Sequence, residues 1–190
     1  MANSRIATSS ILQGFPKSKS MLSGNSAYLT GDYDSIQTIN LSGGETTITF
    51  SSIPQTYTHL QLRAFTKGGG ARIQFNGDTG SNYNRRFVYG NGTSALAGEQ
   101  IGQTISSIID NISQQANTFN AAIVDIYDYT STNKFKNMLS LTGYDDGSGS
   151  NCEIFFFSGL WRSTAAITSL TLTGGTFAQY SKFSLYGIKG

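Results

Sequence analysis

From residue 35 onward, runs in which apolar and polar positions alternate with a period of two recur along the chain. In Ile167–Thr173, Leu170 and Leu172 fall on one side and Ser169, Thr171 and Thr173 on the other. That is the pattern of a strand buried on one face. The same reading predicts a strand at Thr46–Phe50 with Ile48 and Phe50 inward. It predicts another at His59–Phe65, with Leu60 and Leu62 inward and His59, Gln61 and Arg63 outward. Further strands are expected at Ala71–Phe75, Tyr83–Tyr89, Phe135–Leu141 and Phe183–Ile188. Thr118–Tyr129 alternates along its length, with Ala121, Ile123, Asp125 and Tyr127 on one face and Ala122, Val124, Ile126 and Asp128 on the other. Gly43-Gly44, Pro54, Gly68–Gly70, Asn76-Gly77-Asp78 (a hairpin-type turn), Asn91-Gly92 and Gly174-Gly175 punctuate these runs. Between Thr93 and Ser113, Ile101, Ile105, Ile108, Ile109 and Ile112 recur at helical spacing. Isoleucine favours strands, so a strand at Thr104–Ile109 is expected there. About ten strands without a helix, with turn signals about 8–12 residues apart, predict an all-β antiparallel sandwich.

Two stretches add to this picture. In Glu153-Ile154-Phe155-Phe156-Phe157, three consecutive aromatics place bulk on both faces of one strand. One face fits a sandwich core, and the other needs cover, because large open apolar patches are rare on monomers. The cover could be a neighbouring subunit or the N-terminal segment, and Phe155, Phe156 and Phe157 are expected at a subunit interface of a homo-oligomer. Residues 1–34 differ from the sandwich predicted over 35–190. Apolar residues are sparse there, and Gly14, Pro16 and Gly24 interrupt any helix. Residues 1–31 hold Arg5, Lys17 and Lys19 and no acid, a charge of +3. Such a segment gains order only against a surface. It is expected to be an extended arm docked on a partner, with Ile6, Ile11, Leu12 and Phe15 as apolar anchors and Arg5, Lys17 and Lys19 as charge contacts.

The 190-residue length suits one domain with an arm, and a charged fraction of only 13% suits short strands and tight turns better than a helical bundle. A net charge of +2, from scattered basic residues, argues against nucleic acid as a partner. No apolar run approaches the roughly 20 residues of a membrane helix. No charged-then-apolar leader is visible, so no secretion is expected, and folding in a reducing cytoplasm is. Cys152, the one cysteine, precedes a hydrophobic strand and reads as a buried structural thiol. One His and one Cys make a zinc site implausible. The oxygen-rich run Asp145–Asn151 lacks the ligand spacing of a calcium loop, so no metal and no cofactor is expected. Asp125 and Asp128 fall on opposite strand faces, which counts against a glycosidase pair, and no nucleophile motif appears. No catalytic residue is assigned, and the chain is not expected to be an enzyme.

Several segments carry a resemblance. The ending SKFSLYGIKG, preceded by SGLWRSTAAITSLTLT, resembles the C-terminal ends of tailed-bacteriophage virion proteins. ITFSSIPQTYTHLQLRA, QFNGDTGSNYNRRFVYGNG and VDIYDYTSTNKFKNMLSLTGYDDGSG are similar to the same family, so the likeness covers most of the chain after residue 45. It implies a jelly-roll-like antiparallel β-sandwich with an extended N-terminal arm, associated as a trimer in the virion. A capsid decoration or cement protein, binding the major capsid protein or another virion protein through its arm, is the first expectation. The alternative is a module of a tail or tail fibre that binds host surface carbohydrate, with glycan meeting the loops Gly77–Tyr83 or Tyr144–Asn151.

Overall fold

A computed structural model of the chain describes residues 32–110, 116–145, 147 and 152–189. Among them are twelve strands: β1 (Tyr33–Asn40), β2 (Glu45–Phe50), β3 (His59–Thr66), β4 (Ala71–Phe75), β5 (Tyr83–Gly90), β6 (Ala95–Gln103), β7 (Ser106–Ile109), β8 (Asn120–Ile126), β9 (Lys136–Asp145), β10 (Cys152–Trp161), β11 (Leu170–Phe177) and β12 (Lys182–Ile188). They form an eight-stranded sheet, ordered β1-β12-β3-β8-β9-β10-β5-β6, and a four-stranded sheet, ordered β2-β11-β4-β7. Every pairing is antiparallel. The inner faces meet in one core. Leu60, Leu62, Val124, Ile126, Phe183 and Leu185 come from the large sheet, and Ile48, Phe50, Ile73, Phe75, Leu170 and Leu172 from the small one. The all-β sandwich expected from the alternation is the architecture found.

Four local expectations are corrected. First, β1 starts at Tyr33, so the strand region opens before residue 35; Asp34 belongs to it and meets Lys189 at 2.8 Å. Second, Gly174-Gly175 does not end β11, which runs through both glycines to Phe177. A Cβ on Gly174 would lie 1.7 Å from the Gly70 carbonyl oxygen, and one on Gly175 2.6 Å from the Gly69 Cα. These glycines let two backbones touch, which no side chain would permit. Third, Asn76-Gly77 turns with left-handed φ at both residues (51° and 66°) but does not make a hairpin, because β4 lies in the small sheet and β5 in the large one. Instead Asn76 clamps the approach to β11, with Oδ1 accepting from the Thr168 and Ser169 N–H groups and Nδ2 donating to the Ala166 carbonyl. Fourth, Ala95–Gln103 forms the edge strand β6, which the reading of Thr93–Ser113 does not anticipate.

Candidate functional site

The large sheet is twice as wide as the small one, and each of its faces carries a different chemistry. On β10 the alternation places Phe155, Phe157 and Trp161 inward and Ile154, Phe156 and Ser158 outward. Phe155 and Phe157 are 5% and 2% exposed, and their rings stack in parallel with centroids 5.4 Å apart. Tyr89 stacks on Phe155, and Phe87 packs beside Phe157. Arg85 lies over the Phe87 and Phe157 rings and pairs with Asp110 at 2.9 Å. The expectation that all three phenylalanines meet a partner is therefore corrected for Phe155 and Phe157, which are spent inside the fold. Phe156 alone faces out, 44% exposed.

Phe156 stands in a row that the register defines across six strands: Arg63, Ile123, Leu141, Phe156, Val88 and Ala97, each opposite the next. The neighbouring row reads Phe65, Ala121, Gly143, Ile154, Gly90 and Ala95. Phe65, Ile123, Leu141, Ile154, Phe156 and Val88 are each between 44% and 57% exposed. Ala121 and Gly143, between these larger side chains, leave a trough of about 560 Å³. On the other side of the Phe156 row the chemistry turns polar, with Gln61, Asp125, Leu139, Ser158, Arg86 and Glu99 in register. The Gln61 amide donates to Asp125 at 2.7 Å, and its oxygen accepts from the Arg63 Nε at 2.7 Å. The Arg63 guanidinium lies over the Tyr33 and Tyr186 rings, 5.6 and 4.9 Å from their centroids. Among the described residues no carboxylate pairs with Arg63. Burial, and after it the charge of Asp125, pushes the Tyr127 phenol above its ordinary pKa.

The loop Gly77–Tyr83, expected to meet a glycan in the alternative reading, turns its chemistry inward. The Asp78 carboxylate accepts from the Trp161 indole N–H at 2.7 Å, from the Asn82 amide and from the Gly80 N–H. Chiefly the indole bond holds its pKa below the usual carboxylate range. Tyr83 is buried and accepts from the Phe75 N–H, and burial pushes its pKa up to about 12. Gly77, Thr79, Gly80 and Ser81 stay exposed, while the Asp78 and Tyr83 side chains are engaged within the fold.

His59 is half-buried on the outer side of β3, and its Nδ1 accepts from the Asp128 N–H at 2.9 Å. Asp128 also takes a hydrogen bond from Lys134, which lowers its pKa. It lies beyond the end of β8, so the strand alternation that sets it opposite Asp125 does not extend to it. Lys136 is buried and donates to the carbonyls of Ser131, Lys134 and Thr164, and burial lowers its pKa. Cys152 is half-buried rather than buried, at the first residue of β10 beside the Asn91–Ser94 turn. Among the described residues no group of three or more His, Cys, Asp or Glu is placed to hold a metal. Among them, too, no helix is long and apolar enough to cross a membrane. The arm contacts Arg5, Ile6, Ile11, Leu12, Phe15, Lys17 and Lys19, and most of the run Asp145–Asn151, lie outside the described residues.

The apolar rows were partly visible in the sequence. In β8 both faces carry aliphatic residues, Ala121 and Ile123 outward and Ala122 and Val124 inward, which signals cover on both sides. That these residues line up with Leu141, Phe156 and Val88 follows only from the register. Compared with protein families, curated proteins and solved structures, the chain matches none.

Proposed function

We propose that the chain is a non-catalytic structural protein of a tailed-phage virion, first of all a decoration or cement protein of the capsid. The apolar outer face of the large sheet carries this reading. A face of six half-exposed large side chains is a surface meant for other protein. The strand order adds support. Four strands, β1-β12-β3-β8, belong to one sheet and β2-β11-β4-β7 form the other. We read this order as supporting a jelly-roll-like arrangement, an architecture frequent in viral capsid and lectin domains. In this reading residues 1–31 lie across major capsid subunits, with their cationic charge against an acidic shell. A protein that binds several subunits at once favours the assembled state and stabilises it by mass action.

The test is to add the purified protein to capsids that lack it and to locate it by cryo-electron microscopy. Density on the shell, lost when residues 1–31 are deleted, is the expected result. Bare shells with protein only at the tail would overturn the cement reading and favour host-sugar recognition, which saturable binding on a glycan array would then establish.

A further inference from the structure

The outer face of the large sheet has a pattern that selects one occupant. We propose that it packs against the same face of a second copy, about a two-fold axis that runs parallel to the strands between β9 and β10. Such an axis superposes β8 on β5 of the partner copy, β9 on β10, and β3 on β6. The three registered rows then meet their own reversals, as an isologous interface requires.

Size complements size in that arrangement. In the central row Leu141 meets Phe156 and Ile123 meets Val88, twice each. In the next row Ile154 sits over Gly143, the floor of the trough, and Phe65 sits over Ala95. In that second row large side chains oppose small ones, and in the central row large apolar side chains meet one another, as the inner faces of stacked sheets about 10 Å apart do. Charge complements charge at one position of the third row, where Asp125 comes over Arg86, which already pairs with Glu99 of its own chain at 2.9 Å. The Gln61 amide comes over Glu99. Arg63, which has no carboxylate of its own among the described residues, comes over Ala97, two residues from Glu99.

The area is also adequate. Six such half-exposed side chains present on the order of 600 Å² of apolar surface, the upper end of what a monomer leaves open. With the polar row this approaches the ~800 Å² per partner of a stable interface. The chain's own residues 1–31 suit this face less well, because they bring three cations and no acid to Arg63. A two-fold pair also differs from the trimer that the family resemblance implies. The inference rests on the reading above only in taking this face as protein-facing. Pairing without shell binding would leave the inference standing and sink the virion reading, and shell binding by a strictly monomeric chain would do the reverse.

The experiment is analytical ultracentrifugation of the full chain with charge-swap variants. The wild type is expected to sediment as a dimer at micromolar concentration. Asp125→Arg and Arg86→Asp are each expected to weaken the dimer at least tenfold, and the double swap to restore most of the loss. Phe156→Asp is expected to give a monomer with an unchanged far-ultraviolet circular dichroism spectrum. A wild type that stays monomeric at 100-fold higher concentration would overturn the proposal. So would a dimer that persists in Phe156→Asp, or a double swap that fails to recover while both single variants remain folded.

Discussion

Phe156 and Phe157 are the same side chain on adjacent residues of one strand, and they have opposite fates. Phe157 lies at 2% exposure, stacked on Phe155 and tilted against Phe87, under the Arg85 guanidinium. Phe156 lies at 44% exposure in a row of aliphatic neighbours with nothing of the described chain above it. Residue type does not separate them. What separates them is which face of the large sheet the pleat presents, and whether that face is closed within the chain. Inner-face side chains hold the fold together, and outer-face side chains are free to hold copies together.

Four measurements break or sharpen that contrast, in falling order of expected effect. Phe157→Ala is expected to cost about 3–5 kcal/mol in urea unfolding, as the loss of a large aromatic from a packed interior does. Lys136→Met removes a buried ammonium that serves three carbonyls at 2.6, 2.8 and 3.2 Å. Leaving such acceptors without a donor is expected to cost about 1–3 kcal/mol by the same assay.

Tyr83→Phe removes the hydroxyl that accepts from the Phe75 N–H at 2.9 Å and donates to the Phe75 carbonyl at 3.5 Å, and is expected to cost about 1 kcal/mol at neutral pH. Its clearer signature is alkaline. The folded phenol titrates at about 12 against 10.0 for a solvated tyrosine, so the native state keeps a proton that the unfolded chain loses. That contribution is complete below pH 10 and is lost as pH rises toward 12. The alkaline fall in stability between these values is expected to be shallower in Tyr83→Phe. Phe156→Ser, measured at a concentration where the chain is monomeric, is expected to change stability by no more than about 0.5 kcal/mol. A cost close to that of Phe157→Ala would place Phe156 in the core and erase the contrast.

The sandwich was legible because strands closed on one face write their burial into alternate residues. Asn120–Ile126 and His59–Phe65 divide inward from outward as their alternation says, whereas past Ile126 the alternation ends and Tyr129 is buried. β6 was not legible, since Ala95–Gln103 is an edge strand exposed on both sides and no alternation is imposed on it. The run through Gly174-Gly175 was not legible either. A glycine pair reads as a break unless the opposing Gly69-Gly70 backbone is known to press against it. Of the candidate interface, the need for cover was readable from three consecutive phenylalanines. Which one needs it, and which neighbours share that need, depends on pairings between residues far apart in the chain. Leu141 and Phe156 are opposite one another only because β9 and β10 pair in that register.

The strand order also governs the timetable of synthesis. β12 lies between β1 and β3, and β11 lies between β2 and β4. Four strands made early thus have as their common neighbours the two made last. On the ribosome β1 and β2 must wait, with hydrogen-bonding edges open, until nearly all of the sandwich has been translated. Pairings of such sequence separation form slowly, and open edges in the meantime invite wrong partners. A chain stalled or cut before residue 170 lacks a central strand of both sheets and is fated for aggregation or proteolysis rather than for a smaller working domain.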